Sequence, residues 1–367
     1  MKVLVTTDAV GGVWEYSVEL ARGLRAAGVE VVVASVGPPP SADQRVMFAA
    51  TPSCTLIETD LPLDWLCADA APVLAAGKAI AELASELSVD LIQLNMPTLA
   101  AAGPMPVPTI AVTHGCVATW WEAARPGTPL ARDYRWHSAL TAAALRNVDR
   151  VVAPSTAYAA IVRRHYGLAE APQAIHNGRT PLRAFDPAEP IADVALTVGR
   201  LWDGVKNAAL LDRAAARLPI PFLAAGAARG PHGETIRLTH LRELGQLSAD
   251  QIAGHLAKRP VFVSAASFEP FGLAVLEAAQ AGCALVLADN PTFRELWDGA
   301  ALFVPIGEDG WCSAIEGLIL DPSRRHALGE AARSRAGRYT PAASAAAMLA
   351  LYREVLSARP PASKVAA

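Results

Sequence analysis

Two glutamates, Glu269 and Glu277, stand eight residues apart in the stretch FEPFGLAVLEAAQAG. A strand-like run, VFVSAA, precedes Glu269, and a helix is predicted to begin near Phe271. Carboxylates accept charge-assisted hydrogen bonds from hydroxyl groups, and the first turn of a helix offers N–H groups and partial positive charge to phosphate. We therefore expect this element, including Phe271, Gly272 and Leu273, to bind a ligand with both hydroxyl and phosphate groups. The alternative is that Glu269 is only an acidic residue near the start of the helix and that Glu277 is a solvent-exposed charge.

Two cations, Arg200 and Lys206, follow another predicted strand in the stretch TVGRLWDGVKN. Arginine makes forked contacts to phosphate oxygens, and lysine contributes a point charge. Together they suit a diphosphate leaving group, because positive charge stabilises the negative charge that develops as a bond to phosphate breaks. The alternative is that both are exposed surface cations.

A glycine pair, Gly11 and Gly12, follows the first predicted strand, KVLVTT. Glycine lets a backbone approach a phosphate or a sugar closely, so both residues are candidates for binding such a ligand, which would be the donor if the reaction is a group transfer. A glycine turn at this place also opens dinucleotide-binding oxidoreductases. The full G-x-G-x-x-G spacing is absent, however, and the second strand ends in Ser35 instead of an acid for the ribose. We therefore discount an oxidoreductase.

A histidine and an aromatic cluster share the stretch AVTHGCVATWW, in which His114 ends a predicted strand. Trp120 and Trp121 follow it, with several arginines in the next residues. Flat aromatic faces beside positive charge suit a sugar ring or an anionic or lipid-linked carrier, so both tryptophans are predicted to contact such a group, which would be the acceptor of a transfer reaction. Packing of the aromatic rings between a helix and the sheet is the alternative.

Short β-branched runs alternate with longer Ala- and Leu-rich helical stretches, a pattern typical of parallel βαβ units and doubly wound sheets. The pattern restarts after a turn-rich segment between residues 176 and 190, which predicts two α/β domains. The strands of the first half are KVLVTT, VEVVVAS, DLIQLN, PTIAVTH and DRVVAPS, and those of the second are VALTVG, PFLAAG, VFVSAA, ALVLAD and ALFVP. Open α/β sheets bind ligands at the carboxyl ends of their strands, where the candidate residues fall.

Composition narrows the classes of function. A formal net charge of -3 over 367 residues gives no basic field, so we expect no nucleic-acid partner. The cysteines number five and include no C-x-x-C pair, which argues against a disulfide framework and against a zinc site. The chain begins directly with a strand pattern and has no run of about 18 apolar residues. We expect a cytoplasmic protein, and leave open peripheral contact at the inner face of the membrane.

The order of these motifs resembles the family 4 retaining glycosyltransferases of GT-B fold (glycosyl transferases group 1) over nearly the whole chain. The match includes the Glu-x7-Glu motif and the final stretch RYTPAASAAAMLALYREVL. The resemblance implies two Rossmann-like domains facing across a cleft, with a C-terminal helix crossing back to the first. We expect the domains at residues 1–178, with 341–367, and at 179–340. The inter-domain Asn-Gly turn departs from the family pattern, and Arg179 is an additional candidate cation there.

The resemblance also implies an activity, the transfer of a hexose-type sugar from a UDP- or GDP-linked donor with retention of anomeric configuration. The acceptor would be a glycan, a lipid-linked sugar or a small molecule. By this resemblance Arg200 and Lys206 hold the diphosphate, Glu277 the ribose and Glu269 the transferred sugar. His114 would bond to the same sugar from the other domain.

No two aspartates are separated by a single residue, so the Asp-x-Asp metal clamp of the other large glycosyltransferase fold is missing. We expect no metal and no cofactor beyond the nucleotide sugar. Two rivals stay open, a sugar phosphorylase on the same fold and a non-catalytic subunit that binds a nucleotide sugar.

Overall fold

The computed structural model describes residues 1–51, 54–231, 233–307 and 310–358. The chain forms two compact units. The N-terminal unit comprises residues 1–122 and 127–178 together with the chain from Pro341, and the C-terminal unit comprises 123–126 and 179–340. The predicted C-terminal helical segment 341–367 is described as far as residue 358, and the rest lies outside the described residues. Within these ranges no helix is long and apolar enough to cross a bilayer.

A parallel sheet forms the centre of the N-terminal unit, with seven strands among the described residues in the order β3-β2-β1-β4-β5-β6-β7. The strands are β1 Lys2–Asp8, β2 Glu30–Val36, β3 Cys54–Glu58, β4 Leu91–Leu94, β5 Thr109–Val112, β6 Arg150–Ala153 and β7 Gln173–Ala174. The helices are α1 Gly12–Ala26, α2 Ala42–Ala49, α3 Ala71–Glu86, α4 Val117–Ala124, α5 Arg135–Asn147 and α6 Thr156–Tyr166.

The central strands form because both of their faces are covered. In β1, Val3 and Val5 pack into one apolar cluster, while Leu4, which points the other way, packs into a second. Successive side chains of a strand alternate between the faces of a sheet, so a buried parallel strand needs apolar residues at every position. The unbroken β-branched runs of the sequence meet this requirement.

The last described helix returns to the N-terminal unit and packs against α1. A Cβ atom placed on Gly23 of α1 would lie 2.5 Å from the Cβ atom of Ala345, so the close crossing of the two helices depends on this glycine. Met348, Leu351 and Tyr352 are buried in the same cluster as Val3. The expected C-terminal helix that crosses back is therefore confirmed. This helix is Pro341–Ala358 and is called α13, because helices α7 to α12 belong to the C-terminal unit and precede it in the chain.

The C-terminal unit contains a second parallel sheet, with six strands in the described part of the chain in the order β10-β9-β8-β11-β12-β13. These are β8 Ala195–Val198, β9 Phe222–Ala225, β10 Arg242–Gly245, β11 Val261–Ser264, β12 Leu285–Ala288 and β13 Leu302–Val304. Its helices are α7 Ala208–Ala215, α8 Ala249–Ala257, α9 Leu273–Gln280, α10 Pro291–Trp297, α11 Trp311–Leu320 and α12 Pro322–Ala336.

Each sheet has one point where the strand order reverses. The chain leaves β1 toward β2 on one side and later adds β4 on the other, and β8 stands in the same way between β9 and β11. Loops that follow two such neighbouring strands diverge to opposite faces and leave a crevice at the carboxyl edge, where α/β sheets bind ligands. The predicted α/β class with two doubly wound sheets is confirmed, and both crevices lie where the sequence places its candidate residues.

Candidate functional site

The loops after β8 and β11 are joined by hydrogen bonds at the switch point of the C-terminal sheet. The side-chain amide of Asn207 donates to the carbonyl oxygen of Ala265 at 2.8 Å, and the backbone N–H of Ser267 donates to the carbonyl oxygen of Val205 at 2.8 Å. The short 3-10 helix Gly204–Lys206 lies between these contacts. These bonds fix the position of the lysine relative to the loop that carries Glu269.

Lys206 and Glu269 form an ion pair, with the lysine Nζ 2.5 Å from the glutamate Oε2. Their side chains are 21% and 18% exposed, so the pair is shielded from bulk water but still reachable by a ligand. It borders a cleft of about 380 Å³, whose other lining residues include Thr197, Gly199, Ser264, Ala274 and Val275. A cation and a carboxylate thus meet beside the first turn of α9.

The helix that follows Glu269 begins at Leu273, two residues later than the sequence predicts. Gly272 precedes it with φ of +94°, a left-handed conformation that favours glycine. No side chain of the described residues caps this first turn, which leaves its N–H groups available to an anion. Phe271 differs from the expectation of a ligand contact, because its ring is buried at 3% exposure and packs edge-on against Tyr339. A contact from Phe271 would have to come from its backbone.

Arg200 is held by a carboxylate three residues away. Its Nη2 atom lies 2.8 Å from Oδ2 of Asp203, which is 2% exposed, whereas the Arg200 side chain is 47% exposed. The guanidinium also lies over the ring of Trp202, 5.6 Å from its centre. Asp203 in addition accepts a hydrogen bond from the N–H of Val205. The aspartate therefore anchors both Arg200 and the short helix that presents Lys206.

Glu277 has a different cationic partner from Glu269. Its Oε1 atom accepts a 2.8 Å hydrogen bond from Nε of Arg179, and the two side chains are 14% and 7% exposed. The carboxylate borders a second cavity of about 410 Å³. Gln280 donates to the carbonyl oxygen of Arg179 at 2.7 Å and strengthens the same junction. Glu269 thus borders the first of these cavities and Glu277 the second, and Glu277 already has a positively charged partner.

The glycine pair of the N-terminal unit lies at the switch point of its sheet. Gly11 is the N-cap of α1 in an extended conformation, and Gly12 is the first residue of this helix and is exposed. No side chain within the described ranges caps α1. The first turn therefore presents N–H groups and partial positive charge beside the carboxyl end of β1.

His114 lies just beyond β5 and contacts two residues that sequence reasoning did not single out. Its Nε2 atom is 3.2 Å from Oδ1 of Asn95, and the ring of Tyr16 packs edge-on against it with centres 4.5 Å apart. Burial lowers the pKa of His114 to about 4, because the surrounding protein disfavours the charged imidazolium. The histidine is therefore neutral at pH 7, which suits hydrogen bonding to a hydroxyl group.

The two tryptophans of α4 occupy different environments. Trp121 is buried at 7% exposure, its indole N–H donates to the carbonyl oxygen of Thr128 at 3.1 Å, and its ring packs near Tyr134. Its burial does not match the expectation of an acceptor contact, because the ring is used in packing. Trp120 is partly exposed and can still meet a ligand.

The sequence analysis did not identify several residues at the switch points of the two sheets. Asp203 and Asn95 each follow a strand at a switch point, which is the signal that could have identified them. The pairing of Arg179 with Glu277 joins residues 98 positions apart, and no local pattern reports such a contact.

Two protein-family models match the chain. The one described as Glycosyltransferase Family 4 matches residues 10–181, and the one described as Glycosyl transferases group 1 matches residues 192–335. The boundary between the two matches falls in the turn-rich segment before β8.

Known proteins resemble the chain in sequence and in structure. A phosphatidyl-myo-inositol mannosyltransferase of Mycolicibacterium smegmatis is 32% identical over 123 residues, which is 32% of this chain and 32% of the mannosyltransferase. Sucrose-phosphate synthase of Thermosynechococcus elongatus superposes with a TM-score of 0.80 at 20% identity, covering 98% of this chain and 100% of that one. Anabaena HepE in complex with UDP-glucose gives 0.73 at 20% identity, with 98% and 100% covered.

Proposed function

This chain belongs to the glycosyltransferases of GT-B fold that the two family models describe, and from that premise we propose that it transfers a hexose from a nucleotide diphosphate sugar to an acceptor. The membership of this family, which the motifs implied, is thereby confirmed. We propose further that the reaction retains anomeric configuration, needs no divalent metal, and takes a UDP- or GDP-linked donor.

The ion pair between Lys206 and Glu269 is the observation that best supports this proposal. A cation for phosphate and a carboxylate for a hydroxyl group lie 2.5 Å apart at the switch point of a doubly wound sheet. The uncapped first turn of α9 adjoins the same cleft. A ligand with a diphosphate and a sugar presents both groups that this arrangement can bind.

Donor binding would exchange the partners of this ion pair. The ammonium of Lys206 turns from Glu269 to an oxygen of the diphosphate, which carries more negative charge than a single carboxylate. Glu269 is then released to accept a hydrogen bond from a hydroxyl group of the transferred sugar. Arg200, held by Asp203 with half of its side chain exposed, supplies a second cation to the phosphates.

In the transfer step the acceptor oxygen bonds to the anomeric carbon while the bond from that carbon to the diphosphate oxygen breaks. The electron pair of the broken bond stays on the diphosphate, and the acceptor proton moves to a phosphate oxygen. Arg200 and Lys206 stabilise the charge that grows on the leaving group, in the role that a divalent metal has in other transferases. Attack on the same face as the leaving group retains the configuration.

The similar proteins support the choice of donor. HepE is seen with UDP-glucose, and the mannosyltransferase and sucrose-phosphate synthase are also named for reactions on sugars or their phosphates. We propose a glycan, a lipid-linked sugar or a small molecule as the acceptor, and a reaction in the cytoplasm. A lipid-linked acceptor would bring the chain to the inner face of the membrane.

A thermal-shift panel tests the donor site directly. UDP, GDP and ADP, their common hexose conjugates, the matching monophosphates and inorganic phosphate are each added to the purified chain. A bound nucleotide sugar at about 100 times its Kd should stabilise the folded protein by about 2.7 kcal/mol. Lys206→Ala should weaken diphosphate binding by one to two decades and monophosphate binding less, because a charge-assisted contact contributes about 1.5 to 3 kcal/mol.

The exposed Lys258 at the end of α8 provides the matched control, and Lys258→Ala should bind like the wild type. If no nucleotide sugar raises the melting temperature, the proposal is wrong. Stabilisation by inorganic phosphate alone would favour the phosphorylase.

A further inference from the structure

A chain of buried polar side chains links α13 to His114 within the N-terminal unit. The hydroxyl of Tyr352 donates a short hydrogen bond to Oε1 of Gln93. The amide nitrogen of Gln93 then donates to Oδ1 of Asn95 at 3.0 Å and to the hydroxyl of Tyr16 at 3.3 Å. Gln93, Asn95, Tyr16 and Tyr352 are each at least nine-tenths buried. Such a network is stable only when each donor along it faces an acceptor.

The orientation of the Asn95 amide is fixed by its other contacts. Its Nδ2 atom is 2.8 Å from the carbonyl oxygen of Thr6, which can only accept, so the nitrogen must face Thr6. The same nitrogen donates to Oγ of Ser17 at 3.1 Å, and that hydroxyl in turn donates to the carbonyl oxygen of Val13 at 2.8 Å. The oxygen of Asn95 therefore faces His114, and an amide oxygen can only accept a hydrogen bond.

We propose that Asn95 is a positioning residue that holds the imidazole of His114 in its Nε2-protonated tautomer, so that Nδ1 is the atom presented to a ligand. The proton on Nε2 is used by Oδ1 of Asn95, 3.2 Å away. The edge-on ring of Tyr16 restricts rotation of the imidazole. The role of His114 toward a sugar hydroxyl rests on the proposed function, whereas the tautomer does not.

The protonation states of the neighbours agree with this assignment. The lowered pKa of His114, about 4, leaves the ring with one proton at neutral pH. Burial raises the pKa of Tyr16 and of Tyr352, so both hydroxyl groups stay neutral. A neutral imidazole with its proton on Nε2 carries a lone pair on Nδ1. His114 then accepts a hydrogen bond from a hydroxyl group and cannot donate one through Nδ1.

Nitrogen-15 NMR of the histidine rings in the full chain tests the tautomer without any ligand. At pH 7 the wild type should show a protonated Nε2 and an unprotonated Nδ1 for His114, assigned by comparison with His114→Gln. A protonated Nδ1 in the wild type would overturn the proposal. Since no substrate is needed, this result is independent of whether the chain turns over UDP-glucose or any other sugar donor.

Two variants separate positioning from simple support of the fold. Asn95→Ala removes the acceptor and should give a mixture of both tautomers. Asn95→Asp keeps an oxygen beside Nε2, so it should retain the wild-type tautomer and raise the pH at which His114 protonates. Asn147→Ala removes a 3.0 Å hydrogen bond to the carbonyl oxygen of Ala100 from an exposed position in the same unit, and serves as a control. If Asn95→Ala lowers the melting temperature but leaves the tautomer unchanged, Asn95 only stabilises the fold.

Discussion

At the scale of single residues, each proposed donor cation is already paired with a carboxylate. The pairs are Lys206 with Glu269, Arg200 with Asp203, and Arg179 with Glu277. Pairing keeps long, flexible cationic side chains in one place and so reduces the entropy that a ligand must remove on binding. A phosphate group then has to compete with a carboxylate for the lysine. The affinity for a nucleotide diphosphate should therefore depend on both members of a pair.

The Arg179–Glu277 pair should contribute more to stability than the other two, because both of its side chains are nearly buried. Glu277→Gln removes the attraction between the two charges, so it should lower the free energy of unfolding by about 1.5 to 3 kcal/mol, the contribution of a hydrogen bond to a charged group. Glu269→Gln, in a more exposed pair, should mainly lower kcat. Thermal unfolding and kinetics measure the two effects. The double variant Arg179→Met with Glu277→Gln should regain part of the lost stability, and an additive loss would contradict the coupling.

His114 should make stability fall as the pH is lowered from 6.5 to 4. The unfolded chain protonates histidine near pH 6.5, whereas the folded protein resists protonation down to about pH 4. Between these values the unfolded state binds more protons, so acid favours unfolding by up to about 3 kcal/mol through this group. An NMR titration of the His114 ring should give a midpoint near 4, and the exposed His326→Gln variant should leave it unchanged. A midpoint near 6.5 would contradict the lowered pKa of His114.

The residues proposed to bind the donor could be identified from the sequence, but the pairs that they form could not. Lys206, Glu269 and His114 lie in the loops that follow β8, β11 and β5, and a parallel sheet brings the ends of its strands to one edge. The lysine and the glutamate are 63 residues apart, so their contact depends on how two loops close over the sheet. The link from Asn95 to His114 likewise depends on strand order and not on spacing.

At the scale of elements, the strands that the sequence pattern missed are edge strands. They are β3, β7 and β10, and the two sheets place them at the ends of their strand orders. An edge strand has a neighbour on one side only and is partly open to water, so it needs no continuous apolar run. β10, with the sequence RELG, has no fully buried residue. The interior strands, which are covered on both faces, were all predicted.

Helix α4 offers a direct test of packing against ligand contact. Trp121→Ala should lower the free energy of unfolding by about 3 kcal/mol, because it empties a buried site and removes the hydrogen bond to Thr128. Trp120→Ala, at the neighbouring partly exposed position, should cost less than about 1 kcal/mol and should raise the acceptor KM. Unfolding curves and acceptor kinetics distinguish the two. Equal losses of stability with an unchanged acceptor KM would assign both rings to packing.

At the scale of the whole molecule, the fold class could be predicted because one pattern of alternating strands and helices occurs twice. Two doubly wound sheets each present a switch point, and the candidate residues of each half lie at that edge. The return of α13 to α1 leaves no local trace except the small residues Gly23 and Ala345 at the crossing. The motif order that resembles a known family supplied this expectation.

Proton NMR can follow the transfer of the sugar directly. The purified chain is mixed with an excess of EDTA, an acceptor and UDP-glucose or another nucleotide sugar that stabilises it. We predict release of the nucleotide diphosphate and a product whose anomeric proton shows the configuration of the donor, at a rate that added Mg²⁺ does not change. Lys206→Ala should slow this reaction, and Lys258→Ala should not. An inverted product, a requirement for Mg²⁺ or for inorganic phosphate, or no transfer from any nucleotide sugar would contradict the proposed retaining, metal-independent transfer.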